Sequence, residues 1–135
     1  LEEWFLAARF KFDEQYTAGA DRIRTLVSER KATQPLGLPS CGSVFKNPPG
    51  DHAARLIESA GLKGARIGGA EVSPKHANFI INTGGATAAD IEALIGHVRD
   101  CVQERHGDRL GTEVQFLSEP LAGGAVSCRP PAIRP

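Results

Sequence analysis

The stretch Gly42-Ser43-Val44-Phe45-Lys46-Asn47-Pro48-Pro49-Gly50 places a hydroxyl, an ammonium and a carboxamide within five residues. A serine hydroxyl can donate a proton or a hydrogen bond, lysine offers a phosphate a point charge, and asparagine can serve a sugar hydroxyl through its amide. Each group also has an ordinary structural reading. A serine beside glycine is commonly a turn residue, the lysine can be solvated, and the asparagine can be a cap ahead of proline. Two familiar chemistries are excluded by spacing. The residues flanking Ser43 do not make a Gly-x-Ser-x-Gly nucleophile elbow, so a Ser-His-Asp hydrolase is not supported. The stretch also lacks Gly-x4-Gly-Lys-Ser/Thr and is no P-loop.

Other groups that could do chemistry are scattered. His52, His76, His97 and His106 are possible bases, and no motif singles one out. His76 lies in a Pro74–Ala77 turn, and both it and Glu71 read first as surface residues. Glu113 lies in an alternating run, on the face opposite Val114 and Phe116, where a solvent-facing carboxylate is the plain reading. Cys41, Cys101 and Cys128 follow no metal-ligand or redox spacing. Cys41 is expected to be a buried, inert thiol. No metal site is expected. Gly64 to Gly69 lacks Gly-x-Gly-x-x-Gly, so no dinucleotide-binding crossover is indicated.

The elements that must position these groups can be read from periodicity. Trp4–Phe12 ends in alternation and is expected to be a strand. Ala20–Lys31 spaces Ile23, Leu26 and Val27 as an amphipathic helix with a basic end. Gln34 to Cys41 is a stiff, proline-restricted run with no regular period. Asp51 is placed to N-cap a short helix from His52 to Ala60, which Gly61 ends. The glycines between Leu62 and Ser73 suit either a strand pair with a bulge or close approach to a ligand. Asn78–Asn82 is apolar enough for a strand buried on both faces. Thr87 N-caps a long helix, with Asp90 as its capping-box partner, carrying Ile91, Leu94, Ile95, Val98, Cys101 and Val102 on one stripe. Thr112–Leu117 alternates as a final strand. These elements intermix without βαβ repetition, which predicts an α+β fold with a small mixed or antiparallel sheet and about three helices.

Sixteen Lys and Arg balance sixteen Asp and Glu, so there is no polybasic footprint for nucleic acid or an anionic membrane. No apolar run approaches the roughly 20 residues of a membrane span. A reducing cytoplasm is the simplest compartment for the three cysteines. The chain starts without methionine and with a strand-like run already under way, which reads as the later part of a longer protein.

Taken together, the motifs resemble the C-terminal part of the UDP-N-acetylenolpyruvoylglucosamine reductase (MurB) family, flavoenzymes of peptidoglycan synthesis. The resemblance runs from about Trp4 to Phe116. It is carried in order by Gln34-Pro35-Leu36 leading to Pro39-Ser40-Cys41-Gly42-Ser43-Val44-Phe45-Lys46-Asn47-Pro48, by the Ala53 to Gly61 helix with its LIESAGLKG run, by Gly68-Gly69-Ala70 through Lys75-His76-Ala77-Asn78-Phe79-Ile80-Ile81-Asn82, and by Glu113-Val114.

The resemblance implies a fold like the MurB C-terminal domain and a reaction in which NADPH reduces a bound FAD. The flavin then gives hydride to the enolpyruvyl β-carbon of UDP-N-acetylglucosamine enolpyruvate. It implies Ser43 as the general acid for the adjacent carbon and Glu113 as the group that orients the enolpyruvyl moiety. Lys46, Asn47 and His76 become substrate contacts. It divides the chain into residues 1–33 as the end of a preceding region, 34–117 as the substrate domain, and 118–135 as a disordered tail foreign to the family. The family's flavin-binding half lies upstream and is not in this sequence. That half would be the chain's partner, and no FAD-binding residue is assigned here. A non-catalytic remnant or UDP-sugar-binding module without the flavin domain is the alternative.

Overall fold

The structure is a computed structural model that describes residues 6–11 and 19–116. They fall into two units, one ending at Ala32 and the other starting at Thr33. Helix α1 (Ala20–Thr33), which lies in the first but for its last residue, forms where the helical spacing places it, with Asp21 in its first turn and Arg30 and Lys31 in its last. Its apolar stripe is not covered: no residue of α1 is buried, and Ile23 is 60% exposed. The strand expected over Trp4–Phe12 is not found in its described part, because residues 6–11 have no regular structure and are exposed. Alternation alone cannot make a strand; the backbone needs a ladder partner, and no strand pairs with this segment among the described residues. Trp4, Phe5 and Phe12 lie outside the described residues.

The second unit holds β1 (Ser40–Ser43), α2 (Ala53–Ser59), β2 (Arg66–Ile67), β3 (Ala70–Val72), β4 (Phe79–Asn82) and α3 (Ala88–His106). The four strands form one antiparallel sheet in the order β1-β4-β3-β2. With α1, α2 and α3 this is the expected α+β arrangement. The helices supply the core: Leu56 and Ile57 from α2 and Leu94, Ile95, Val98, Cys101 and Val102 from α3 pack with Val72 and Ile80 of the sheet. The capping box at α3 is complete, since Thr87 Oγ1 accepts from the Asp90 amide at 3.1 Å and the Asp90 carboxylate accepts from the Thr87 amide at 2.9 Å. Such a cap contributes about 1 kcal/mol. Gly107 ends the helix with a left-handed φ of 76°.

Three expectations are corrected. Ser40 and Cys41, read as part of an irregular run, open β1, whose residues pair with Ile81 and Phe79 of β4. Asp51 does not cap α2. Its carboxylate is drawn into an ion pair with Arg55 and takes the His52 amide at 2.6 Å, while the Ala53 amide is taken by Asn47 Oδ1 at 3.0 Å. The final strand reduces to one bridge, Phe45↔Thr112. The Glu113 and Val114 amides both turn to the Val44 carbonyl, at 2.8 and 3.5 Å. Two successive donors on one acceptor stop a ladder from advancing. Val114 still packs against the core, whereas Phe116 is 44% exposed.

Candidate active site

Ser43 ends β1 opposite Phe79, and Ser40 lies opposite Ile81, with the register slipping between them. Two residues of β1, Cys41 and Gly42, therefore stand against one of β4, Ile80, a bulge formed where Gly42 adopts φ 84°. Directly paired residues of antiparallel strands share a face. The bulge thus keeps Ser40 and Ser43 on the face of Phe79 and Ile81, neither of which belongs to the helix-covered core cluster. Ser43 is half-buried there. No described side chain hydrogen-bonds its hydroxyl.

After Ser43 the chain dives into the core with Val44 and Phe45, which are 0% and 2% exposed. It then re-emerges at Lys46 and Asn47, both exposed. Apolar burial thus pins the middle of the segment and leaves polar groups at both ends. The Lys46 amide donates to the Gly111 carbonyl at 2.9 Å and the Glu113 amide to the Val44 carbonyl at 2.8 Å. The fold therefore brings Glu113, distant in sequence, onto the main chain next to Ser43. Asn47 has a second employment, the capping role that its plain reading offers, since its Oδ1 takes the Ala53 amide at the start of α2.

His76 sits in the β3–β4 turn. Ser73 Oγ accepts from the amides of Lys75 and His76, at 3.2 and 3.3 Å, and fixes the turn. The His76 ring lies edge-on to Phe79 at 4.9 Å, and its Nδ1 accepts from the Asn78 amide at 3.3 Å. An accepting Nδ1 places the proton of the neutral ring on Nε2. Burial pushes the His76 pKa below 6.5, and nearby Lys63 adds to this. Its folded pKa being below the unfolded one, the stability it contributes is present above pH 6.5 and is lost as pH falls through the folded value. An NMR titration of the His76 ring should give a midpoint below 6.5; a midpoint at or above that value would contradict this environment.

Two side chains depart from their expected surroundings. Glu71 is buried at 8% exposure, because it faces Arg66 across the β2–β3 pair and is bonded to it at 2.6 Å. Cys41 is exposed and free, since it lies on an edge strand and not in the core. The one group sequence reasoning missed is Asn78. Its carboxamide accepts from the Phe45 amide at 2.9 Å and donates to the Phe45 carbonyl at 2.8 Å. The signal was a carboxamide immediately ahead of the apolar run Phe79-Ile80-Ile81.

The family model for the C-terminal domain of UDP-N-acetylenolpyruvoylglucosamine reductase matches residues 34–117. The chain belongs to this reductase family. Similar reductases include those of Alkalilimnicola ehrlichii, 62% identical over 87% of this chain and 40% of that protein, and Thiobacillus denitrificans, 57% identical over 87% and 37%. A solved structure, the UDP-N-acetylenolpyruvylglucosamine reductase (MurB) of Thermus caldophilus, is similar with TM-score 0.58 and 42% identity, over 70% of this chain and 33% of that one. The chain thus spans about two fifths of the length of the reductases it matches.

At the start of α2 the Ala53 amide is taken by Asn47 Oδ1, and at the start of α3 the Asp90 amide by Thr87 Oγ1. Among the described residues no group of three or more His, Cys, Asp or Glu is arranged to hold a metal ion, and no helix is long and apolar enough to cross a membrane.

Proposed function

We propose that this chain is the substrate-side part of an FAD-dependent, NADPH-using oxidoreductase of peptidoglycan biosynthesis, which converts UDP-N-acetylglucosamine enolpyruvate to UDP-N-acetylmuramate in the cytoplasm. The observation that carries this reading is the hydrogen bond from the Glu113 amide to the Val44 carbonyl, which sets the carboxylate-bearing residue beside Ser43. In this reading the chain supplies the proton and the UDP-sugar contacts. Ser43 protonates the substrate carbon next to the one that accepts hydride. Its hydroxyl is a weak acid, and it can act only towards an enol-like intermediate of high proton affinity. Glu113 orients the enolpyruvyl group, Lys46 provides positive charge for an anionic part of the substrate, and Asn47 and His76 provide amide and imidazole N–H donors. The hydride comes from a flavin-binding half outside this chain.

A second reading is a UDP-sugar-binding part without chemistry of its own. Calorimetry of the chain with UDP-N-acetylglucosamine tests what the two readings share. Because Asn47 Oδ1 also caps α2, the informative variant is Asn47→Asp, which keeps the acceptor and removes the amide donors. Affinity should fall about tenfold, the worth of one good hydrogen bond. No heat from the wild type would remove the UDP-sugar assignment, and unchanged affinity in Asn47→Asp would remove Asn47 from the contacts.

A further inference from the structure

Asn78 spends each of its polar groups on the residues around the site. Its main-chain amide donates to His76 Nδ1 at 3.3 Å, and its main-chain carbonyl accepts from Val44 at 2.9 Å. Its carboxamide takes the Phe45 amide at 2.9 Å and gives to the Phe45 carbonyl at 2.8 Å. Asn78 is 5% exposed and Phe45 only 2%. Water is therefore a poor substitute for either partner, and a buried amide left unpaired is costly.

The reason for this arrangement lies in the sheet. The β1–β4 ladder ends at Ser43↔Phe79, yet the chain continues inward for two more residues before Lys46 surfaces. In extended backbone the N–H and C=O of one residue point to the same side and need one donor and one acceptor there. A carboxamide presents that pair on one planar edge. Asn78 thus stands in for a peptide unit of a strand that has run out, and it prolongs the sheet by one rung.

We infer that Asn78 is the positioning residue of the Ser43–Asn47 segment, and that through its own amide it joins that segment to the His76 ring. It does not touch the ligand; it acts through Phe45, whose neighbours on either side are the segment that ends in Ser43 and the one that begins with Lys46. This rests on the reading of those residues as the UDP-sugar site. It adds that the site's two halves, the segment and the β3–β4 turn, are held in register by one side chain.

The test uses the whole chain with two variants. Asn78→Asp keeps the shape but sets an oxygen against the Phe45 carbonyl; Asn78→Ser folds more readily and releases both partners, and carries the measurements should the first variant not fold. Amide hydrogen exchange should quicken at least tenfold at Phe45 and Glu113, while Val72, bonded to Ala65, and Asn82, bonded to Pro39, keep their protection. Affinity for UDP-N-acetylglucosamine should fall about tenfold, and Asn47→Asp added to Asn78→Ser should cost much less than it does alone. Leu94→Ala, a cavity in the helix core, should lower thermal stability at least as far and leave that affinity unchanged. Unchanged exchange at Phe45, a uniform loss of protection across the sheet, or an equal loss of affinity in Leu94→Ala would each overturn the inference. If the wild type binds no UDP-sugar, the site assignment fails separately, and the exchange pattern alone decides whether Asn78 holds the segment.

Discussion

Ser43→Ala, in a chain joined to a flavin-binding region, is expected to slow formation of UDP-N-acetylmuramate by roughly 10²–10⁴-fold, the usual worth of a general acid. The loss should appear in kcat, because the proton moves only in the transition state. UDP-N-acetylglucosamine has no enolpyruvyl carbon to protonate, so its affinity for the chain should not change. The substitution is mild structurally. Ser43 is half-buried and its hydroxyl bonds to no described side chain, while its place in β1 depends on the backbone pairing with Phe79. Steady-state turnover with calorimetry on the same preparation would check both halves. Turnover within a few-fold of wild type would remove Ser43 from the proton-donor role, and a matching loss of UDP-sugar affinity would reassign it to binding.

The largest effect on stability is expected at Gly69. A Cβ built there would stand 2.5 Å from the Ala86 amide nitrogen and 2.9 Å from the Gly84 carbonyl oxygen. Both are backbone atoms and cannot swing away. Gly69→Ala must therefore push the β2–β3 turn from the chain leading into α3, at a cost of about 3 kcal/mol, the upper part of the range for overpacking. Gly96 makes the control. It lies within α3 and an added Cβ would meet nothing within 4 Å. Gly96→Ala should stabilise by about 1 kcal/mol through helix propensity alone. Denaturant titrations of the two variants should move in opposite directions, and a common direction would show that glycine is retained at Gly69 for some reason other than close packing.

What the sequence made legible follows from how local each signal is. Helix α3 carries its cap at Thr87 and Asp90, its stop at Gly107 and its buried stripe within one continuous stretch, and all of these appear in the structure. The run from Leu62 carries glycines that suit a strand pair and a ligand approach equally. It is a strand pair, and the close approach that its glycines permit is to the chain's own turn before α3. Strand β1 was not legible, because Ser-Cys-Gly-Ser has no apolar alternation and its partners, Ile81 and Phe79, lie far along the chain. The reverse error arose at Thr112–Leu117, where alternation is present and a ladder is not.

The candidate site divides the same way. Residue types picked out the Ser43–Asn47 segment, and the family resemblance added Glu113 and His76. Residue types also offered Asn47 as a cap, which is local and is found at α2, but neither they nor the resemblance could show that Asn78 grips Phe45, since that depends on a contact across the fold. Glu71 was misjudged for a related reason: its burial is made tolerable by Arg66, a partner visible only once the two strands pair.

The bridge between Phe45 and Thr112 also sets the order in which the site can come into being. Everything from residue 46 to residue 111 must be gathered into the loop it closes, and long closures are the slow steps of folding. On the ribosome, which adds roughly 5–20 residues per second, the serine emerges seconds before the glutamate. The nascent chain holds one half of the candidate site in waiting, and the two halves meet only when nearly the whole sheet-and-helix unit has been made.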